Sequence, residues 1–132
     1  MQSGEVGDGS AALIKVCMLI EEVFNHQAKA KTSFLGEDVG FWGYFCDCLD
    51  ESSAIIRAVS TIPQHRTPIG KGRAFIRYNL KMKTLAEHVQ VACSNAKVTR
   101  QFYNKDAVLR HAQYSSQLVD ILYNLNVVDF QL

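Results

Sequence analysis

The sequence predicts an all-α protein, a single-domain helical bundle of about six to eight helices. Three observations carry this. Apolar residues recur at helical spacing along most of the chain, Thr67-Pro68 is a strong helix-start signal, and no stretch alternates with period two between hairpin turns. The chain has 132 residues, 48% apolar and 20% charged. That length suits one domain with its own core, without disulfides or metal as staples, and shows no repeat at a fixed period.

The elements follow in order. Met1 to Ser10, with Gly4, Gly7 and Gly9, reads as a flexible lead-in rather than a secretory signal, because no basic region precedes an apolar core. From Ala11 to Gln27, Leu13, Val16, Cys17, Ile20 and Phe24 form one apolar face, with Ser10 available as N-cap. His26, Lys29 and Lys31 follow near the C-terminal end of that helix, where its dipole favours cations, and Thr32 to Gly40 reads as a loop.

Phe41, Trp42, Tyr44 and Phe45, continuing to Leu49, suit a deeply packed helix. Ser52 or Ser53 caps a short helix through Ile55, Ile56 and Val59, which Pro63 ends.

Thr67-Pro68 opens a helix to about Met82 with two apolar stripes, Ile69, Ile76 and Leu80 on one and Phe75, Tyr78 and Met82 on the other. Gly70 and Gly72 cost helix propensity there, so something should approach that first turn closely. Thr84 caps a helix carrying Leu85, Val89, Ala92 and Cys93, broken near Ser94-Asn95. Thr99 begins a short turn through Phe102 and Tyr103, and Asp106 to Arg110 reads as one more helical turn. Ser115 or Ser116 opens the last helix, with Leu118, Val119, Ile121, Leu122 and Leu125; Val127 to Leu132 fits helix or strand equally.

The net charge of +1 conceals a division. Residues 1–60 carry four Lys or Arg against nine Asp or Glu, and residues 61–132 carry ten against four. All ten of those cations lie between Arg66 and Arg110, with only Glu87 and Asp106 against them, which predicts an acidic partner. Arg73, Arg77 and Lys81 stack at i, i+4 and i+8, where like charges cost roughly 0.2 to 0.5 kcal/mol per pair, so the stripe wants anions. Internal carboxylates such as Asp47 or Asp129 would satisfy it structurally; an acidic protein surface would satisfy it functionally, with Lys71, Lys81 and Lys83 adding to the face. Nucleic acid fits poorly, since the aromatics fall at core positions rather than between basic residues.

No catalytic residue is assigned, because phosphate loop, nucleophile elbow, kinase set and H-E-x-x-H pair are all missing from the sequence. His26, His65, His88 and His111 sit in different elements, without carboxylates or cysteines at ligand spacing. Cys17, Cys46, Cys48 and Cys93 read as reduced cytosolic thiols. Cys46-Asp-Cys48 lacks C-x-x-C spacing, and its two thiols would point about 200° apart on a helix. The expectation is therefore no metal and no cofactor.

Five blocks carry a family resemblance: Lys31-Thr-Ser-Phe-Leu-Gly36, Phe41-Trp-Gly-Tyr-Phe-Cys46, Thr67-Pro-Ile-Gly-Lys-Gly-Arg-Ala-Phe-Ile-Arg77, Phe102-Tyr103 and Leu122-Tyr-Asn-Leu-Asn-Val-Val-Asp129. In this order they resemble the blocks of RUN domains, above all those found together with FYVE and coiled-coil domains, over about Ala11 to Leu132. The resemblance implies a helical fold, no enzymatic activity, and service to small GTPases of the Arl, Rab or Rap kinds, in their GTP-bound form. The setting it implies is cytoplasmic, peripheral on endosomes, lysosomes or autophagosomes through indirect membrane association. It also implies a GTPase-binding set: Lys71 and Arg73 match a basic pair, and His26 and Lys29 match a His and a cation ending an early helix; to these the i, i+4 spacing of the stripe adds Arg77. The other reading it leaves open is a structural scaffold or a docking domain for kinesin or other motor adaptors, without direct GTPase contact.

The chain departs from the pattern in two places. RUN domains usually begin with one more helix, where this chain has only its lead-in at residues 1–10; the apolar surface so exposed would support a homodimer. Where the family commonly shows His-Gly-Leu, this chain has His26-Gln-Ala28. Finally, Lys71 and Arg73 lie about 160° apart on a regular helix. Either Gly70-Lys-Gly72 begins irregularly, or Arg73 is structural and Lys71 faces the partner.

Overall fold

The computed structural model describes residues 5–7, 11–50 and 53–131, with the backbone alone at 5–7 and 131. Among these, seven α-helices follow in order: α1 (Ala11–Asn25), α2 (Gly40–Leu49), α3 (Ala54–Ser60), α4 (Pro68–Met82), α5 (Leu85–Ser94), α6 (Ala96–Phe102) and α7 (Ala112–Asn124). A 3-10 turn at Leu125–Val127 leads into a short strand, β2 (Asp129–Gln131), which runs parallel to β1 (Glu5–Gly7) with Glu5 opposite Asp129. The C-terminal tail is thus part 3-10 helix and part strand. The remainder of the expected lead-in, like Ser10 and Ser52 as caps, lies outside the described residues.

Helix α4 is the axis of the bundle and packs against α1, α2, α3, α5 and β2. Its start is local chemistry: Thr67 Oγ1 accepts the Gly70 N–H at 3.0 Å, and Pro68 at N1 has no N–H to leave unpaired. Its end is set by Lys83, left-handed at φ 60°. The inner face is Gly72, Ala74, Phe75, Ile76, Asn79 and Leu80.

This corrects the two-stripe expectation. Ile69 and Met82 are 61% and 63% exposed, because the first and last turns overhang the core, while the polar Asn79 takes a fully buried position. The close approach is real at Gly72, where a Cβ would lie 2.8 Å from the Phe41 ring. At Gly70 the nearest atom is the capping Thr67 hydroxyl at 3.2 Å.

Around α4 the aromatic residues of α2 behave as expected. Phe45 stacks on Phe75 at 4.6 Å and meets Phe24 of α1 at 5.0 Å, while Tyr44 stands edge-on to Tyr103 at 4.9 Å. The phenols are satisfied inside the core, Tyr103 Oη donating to the Phe24 carbonyl at 2.5 Å and Tyr44 Oη pairing with Thr99 Oγ1 at 2.8 Å.

Three boundaries differ from the sequence reading. Helix α6 starts at Ala96, because the Asn95 side chain accepts the Val98 N–H at 3.1 Å; Thr99 instead lies buried within it. Residues 105–110 form turns rather than a helix, held by buried Ala107 and Leu109. Helix α7 opens at Ala112, capped by His111, whose Nδ1 accepts the Tyr114 N–H at 3.4 Å, and not by a serine.

Candidate functional site

On α1 the inward face carries Leu13, Ile20 and Phe24. A second row at helical spacing, Ile14, Met18, Glu21, Glu22 and Asn25, turns outward beside α4. With Cys17 from α1 and Arg73, Ile76 and Arg77 from α4, it lines an open groove of about 620 Å³. Ile14, Cys17, Met18 and Ile76 make its walls apolar; two carboxylates and two guanidinium groups form its rim.

Arg73 bridges this groove. Its Nε donates to Glu21 Oε1 at 2.9 Å and a terminal nitrogen donates to Oε2 at 3.2 Å, a two-pronged pair that holds the guanidinium pKa above its ordinary value. The Arg73 side chain is still 62% exposed, so the pair fixes its position without hiding its charge. Arg77, one turn on, lines the same groove and is also exposed.

The expected internal partners Asp47 and Asp129 are therefore not those of Arg73. Glu21 takes that role, and Asp129 accepts from Lys83 Nζ at 2.6 Å, tying β2 to the end of α4.

The other predicted site residues lie in two further places. His26 and Lys29 stand at the corner after α1, bound to the end of α6 and the turns that follow it. His26 Nδ1 accepts the Val108 N–H at 3.3 Å, the Lys29 N–H donates to the Phe102 carbonyl at 2.8 Å, and Lys29 Nζ donates to the Arg100 carbonyl at 2.9 Å. Both residues remain exposed. Lys71 is half-buried on the α2 side, near enough to Cys46 for its charge to favour the thiolate there.

Because α4 is helical from Pro68, Gly70-Lys71-Gly72 does not begin irregularly, and Lys71 and Arg73 do not form one patch. The groove brings Arg73 and Arg77 beside Asn25, the residue before His26, and leaves Lys71 out.

Gln27 has φ 55°, the left-handed region that glycine enters without cost and other residues enter at about 1 kcal/mol or more. Gln27→Gly is expected to raise stability by about 0.5 kcal/mol after the glycine's larger unfolded-state entropy is subtracted, read as a higher urea midpoint at unchanged slope.

Burial pushes the thiols of Cys46 and Cys48 up to about 12 and that of Cys93 to about 11, so they stay protonated and weakly nucleophilic. Burial also raises both core phenols, Tyr44 and Tyr103. Among the described residues no three His, Cys, Asp or Glu side chains converge as a metal site would require, and no helix is long and apolar enough to cross a membrane. An exposed apolar groove with a rim of both charge signs is suited to binding another macromolecule.

Sequence reasoning missed the α1 wall of this groove. The signal was present, since Ile14 and Met18 sit four apart outside the Leu13, Ile20 and Phe24 face, but one apolar face already explained the helix.

Residues 15–132 match the family model of the RUN domain. The chain is 38% identical over 135 residues to mouse FYVE and coiled-coil domain-containing protein 1, covering 99% of this chain and 9% of that protein. It is 33% identical to human RUN and FYVE domain-containing protein 4 over 132 residues, 98% of this chain and 23% of that one. With rat Protein RUFY3 the identity is 30% over 122 residues, 90% of this chain and 26% of the relative. The chain thus spans about a quarter or less of the length of these relatives.

Proposed function

The chain belongs to the RUN domain family, and on that premise we propose that it is a non-catalytic docking module that binds a small GTPase of the Arl, Rab or Rap kind in its GTP-bound form. The work so served is the trafficking of endosomes, lysosomes or autophagosomes, with the chain held at the cytoplasmic face by its partners. The observation that carries the reading is the groove between α1 and α4, where Arg73 and Arg77 stand exposed over the apolar side chains of Ile14, Met18 and Ile76. The mixed rim supplies charged contacts that fix the register of a partner whose acidic groups meet Arg73 and Arg77, while the apolar walls supply the contact area that holds it.

His26 and Lys29 lie outside the groove, at the corner that follows Asn25, and count toward the docking side only as exposed neighbours of its α1 end, whereas Lys71 contributes at most from the flank. The test is a pull-down of the folded chain against a panel of Arl, Rab and Rap proteins locked in their GTP and GDP forms. Retention of one GTP form, weakened by salt, supports the reading; retention of none at micromolar concentration overturns it.

A second reading is a scaffold or motor-adaptor domain without GTPase contact. The bidentate Arg73–Glu21 pair favours it, because an arginine already holding a carboxylate inside the chain can serve structure alone. Kinesin-adaptor segments in the same pull-down would decide between the two.

A further inference from the structure

The segment after Lys29 forms a narrow projection with two large apolar side chains at its tip. The Val39 N–H donates to the Lys31 carbonyl at 2.8 Å, Thr32 bridges Asp38, and the Ser33 N–H donates to the Glu37 carbonyl at 2.7 Å. A tight turn closes the tip. The Gly36 N–H donates to the Ser33 carbonyl at 2.9 Å with Gly36 at φ 86°, and Ser33 Oγ accepts the Leu35 N–H at 3.2 Å. Phe34 and Leu35 occupy the two corner positions and are 98% and 72% exposed.

At that exposure neither side chain packs into the core. We propose that this tip is a lipid-contacting element, in which Phe34 and Leu35 enter the headgroup boundary of an anionic membrane.

Shape argues for a lipid occupant over a protein one. Adjacent corner residues of a turn point in diverging directions, so burying both in protein requires a pocket that wraps the whole tip. The boundary region of a bilayer accepts apolar side chains in any direction.

Charge agrees. The projection stands on α6, with Lys31 Nζ 4.8 Å from the centre of the Phe102 ring and Lys29 Nζ on the Arg100 carbonyl. Across residues 29–39 and 96–106 there are five cations, Lys29, Lys31, Lys97, Arg100 and Lys105, against Glu37, Asp38 and Asp106. The Asp38 carboxylate is engaged, since Oδ1 accepts the Gly40 N–H at 2.9 Å. This modest positive excess adds attraction to an acidic leaflet, and the apolar tip supplies the larger share.

The proposal is independent of the GTPase reading and is tested separately. In flotation with phosphatidylcholine vesicles containing phosphatidylserine, the wild-type chain should rise with the vesicles. Phe34→Ser combined with Leu35→Ser should weaken that binding about tenfold or more, with an unchanged thermal midpoint because both side chains lie outside the core. In a Phe34→Trp variant, the emission attributable to the new indole should shift to the blue on vesicle addition and be quenched by brominated lipid. A wild type that stays with the unbound fraction, or a serine variant that floats equally well, overturns the proposal. So does a tip tryptophan unmoved by vesicles but shifted by a GTP-locked member of the GTPase panel, which would place the tip in a protein pocket.

Discussion

Asn79→Ala is expected to lower the stability of the chain by about 3 kcal/mol and its thermal midpoint by about 10 °C. Asn79 is fully buried in α4. Its Nδ2 donates to the Phe75 carbonyl at 2.8 Å; its Oδ1 accepts from Thr84 Oγ1 at 2.9 Å and from His88 Nδ1 at 2.5 Å. One amide thus joins the end of α4 to the start of α5 across the left-handed Lys83. Alanine removes the acceptor of a hydroxyl and an imidazole N–H that are both half-buried, and opens a small cavity at a fully buried position, losses of about 1 kcal/mol for each hydrogen bond with the cavity added. For a domain whose whole stability is about 5 to 15 kcal/mol this is a large share. Urea unfolding measures it directly; a loss below about 1 kcal/mol would mean that the network carries little of the α4–α5 junction.

The same network makes stability depend on pH through His88. Burial lowers its pKa below the ordinary 6.5, against a smaller upward pull from Glu87. With Asn79 Oδ1 as acceptor, the neutral ring holds its proton on Nδ1. Since the folded state disfavours protonation relative to the unfolded chain, the contribution is complete above the unfolded pKa and is lost as pH falls through the folded one. Unfolding midpoints should therefore decline below about pH 6.5, and His88→Gln should flatten that part of the profile.

How much of this was legible in the sequence varies with the kind of signal. Thr67-Pro68 marked the start of α4 because a cap and a proline act through bonds within three residues, and Phe41 to Phe45 marked the core because aromatic density has no other favourable place. The starts of α6 and α7 were not legible. Asn95 and His111 act as caps, but Thr99, Ser115 and Ser116 offered equally good ones, and the choice among them is made by which side chains the core takes in. Thr99 was lost as a cap because its hydroxyl donates to the Ala92 carbonyl and pairs with Tyr44 in the interior. Asn79 was hidden for a related reason, since a polar residue on a charged helix reads as surface until the helix is seen to be surrounded.

For the proposed docking side, the stripe of Arg73 and Arg77 could be read from spacing alone, and the separation of Lys71 by about 160° followed from the helix being regular. Which carboxylate meets Arg73 could not. Glu21 lies 52 residues away on a helix whose placement depends on packing, and Asp47 and Asp129 looked equally available. Both have other neighbours: Asp129 holds Lys83, and Asp47 lies on α2, where its charge bears on Cys46.

If the proposed GTPase docking holds, reversal of both groove arginines, Arg73→Glu with Arg77→Glu, should cost that complex about a hundredfold in affinity, equivalent to about 2.7 kcal/mol, while leaving the chain folded. The fold should survive because both arginine side chains are exposed and a surface ion pair such as Arg73–Glu21, whose glutamate is half-buried, contributes only about 1 kcal/mol. The new repulsion between the carboxylate introduced at position 73 and the native Glu21 adds a similar small amount. Binding should suffer far more, because the change replaces two positive rim charges by two negative ones beside Glu21 and Glu22, turning a mixed rim into a wholly acidic one that repels an acidic surface. The loss should appear chiefly in the association rate and shrink as salt is raised. Lys71→Glu, on the other flank of α4, should weaken binding by less than about threefold, since one charge outside the groove acts only through a screened field. A double variant that folds and binds unchanged would remove the groove from the docking side, and a larger effect from Lys71 than from the arginine pair would move the interface to the α2 flank.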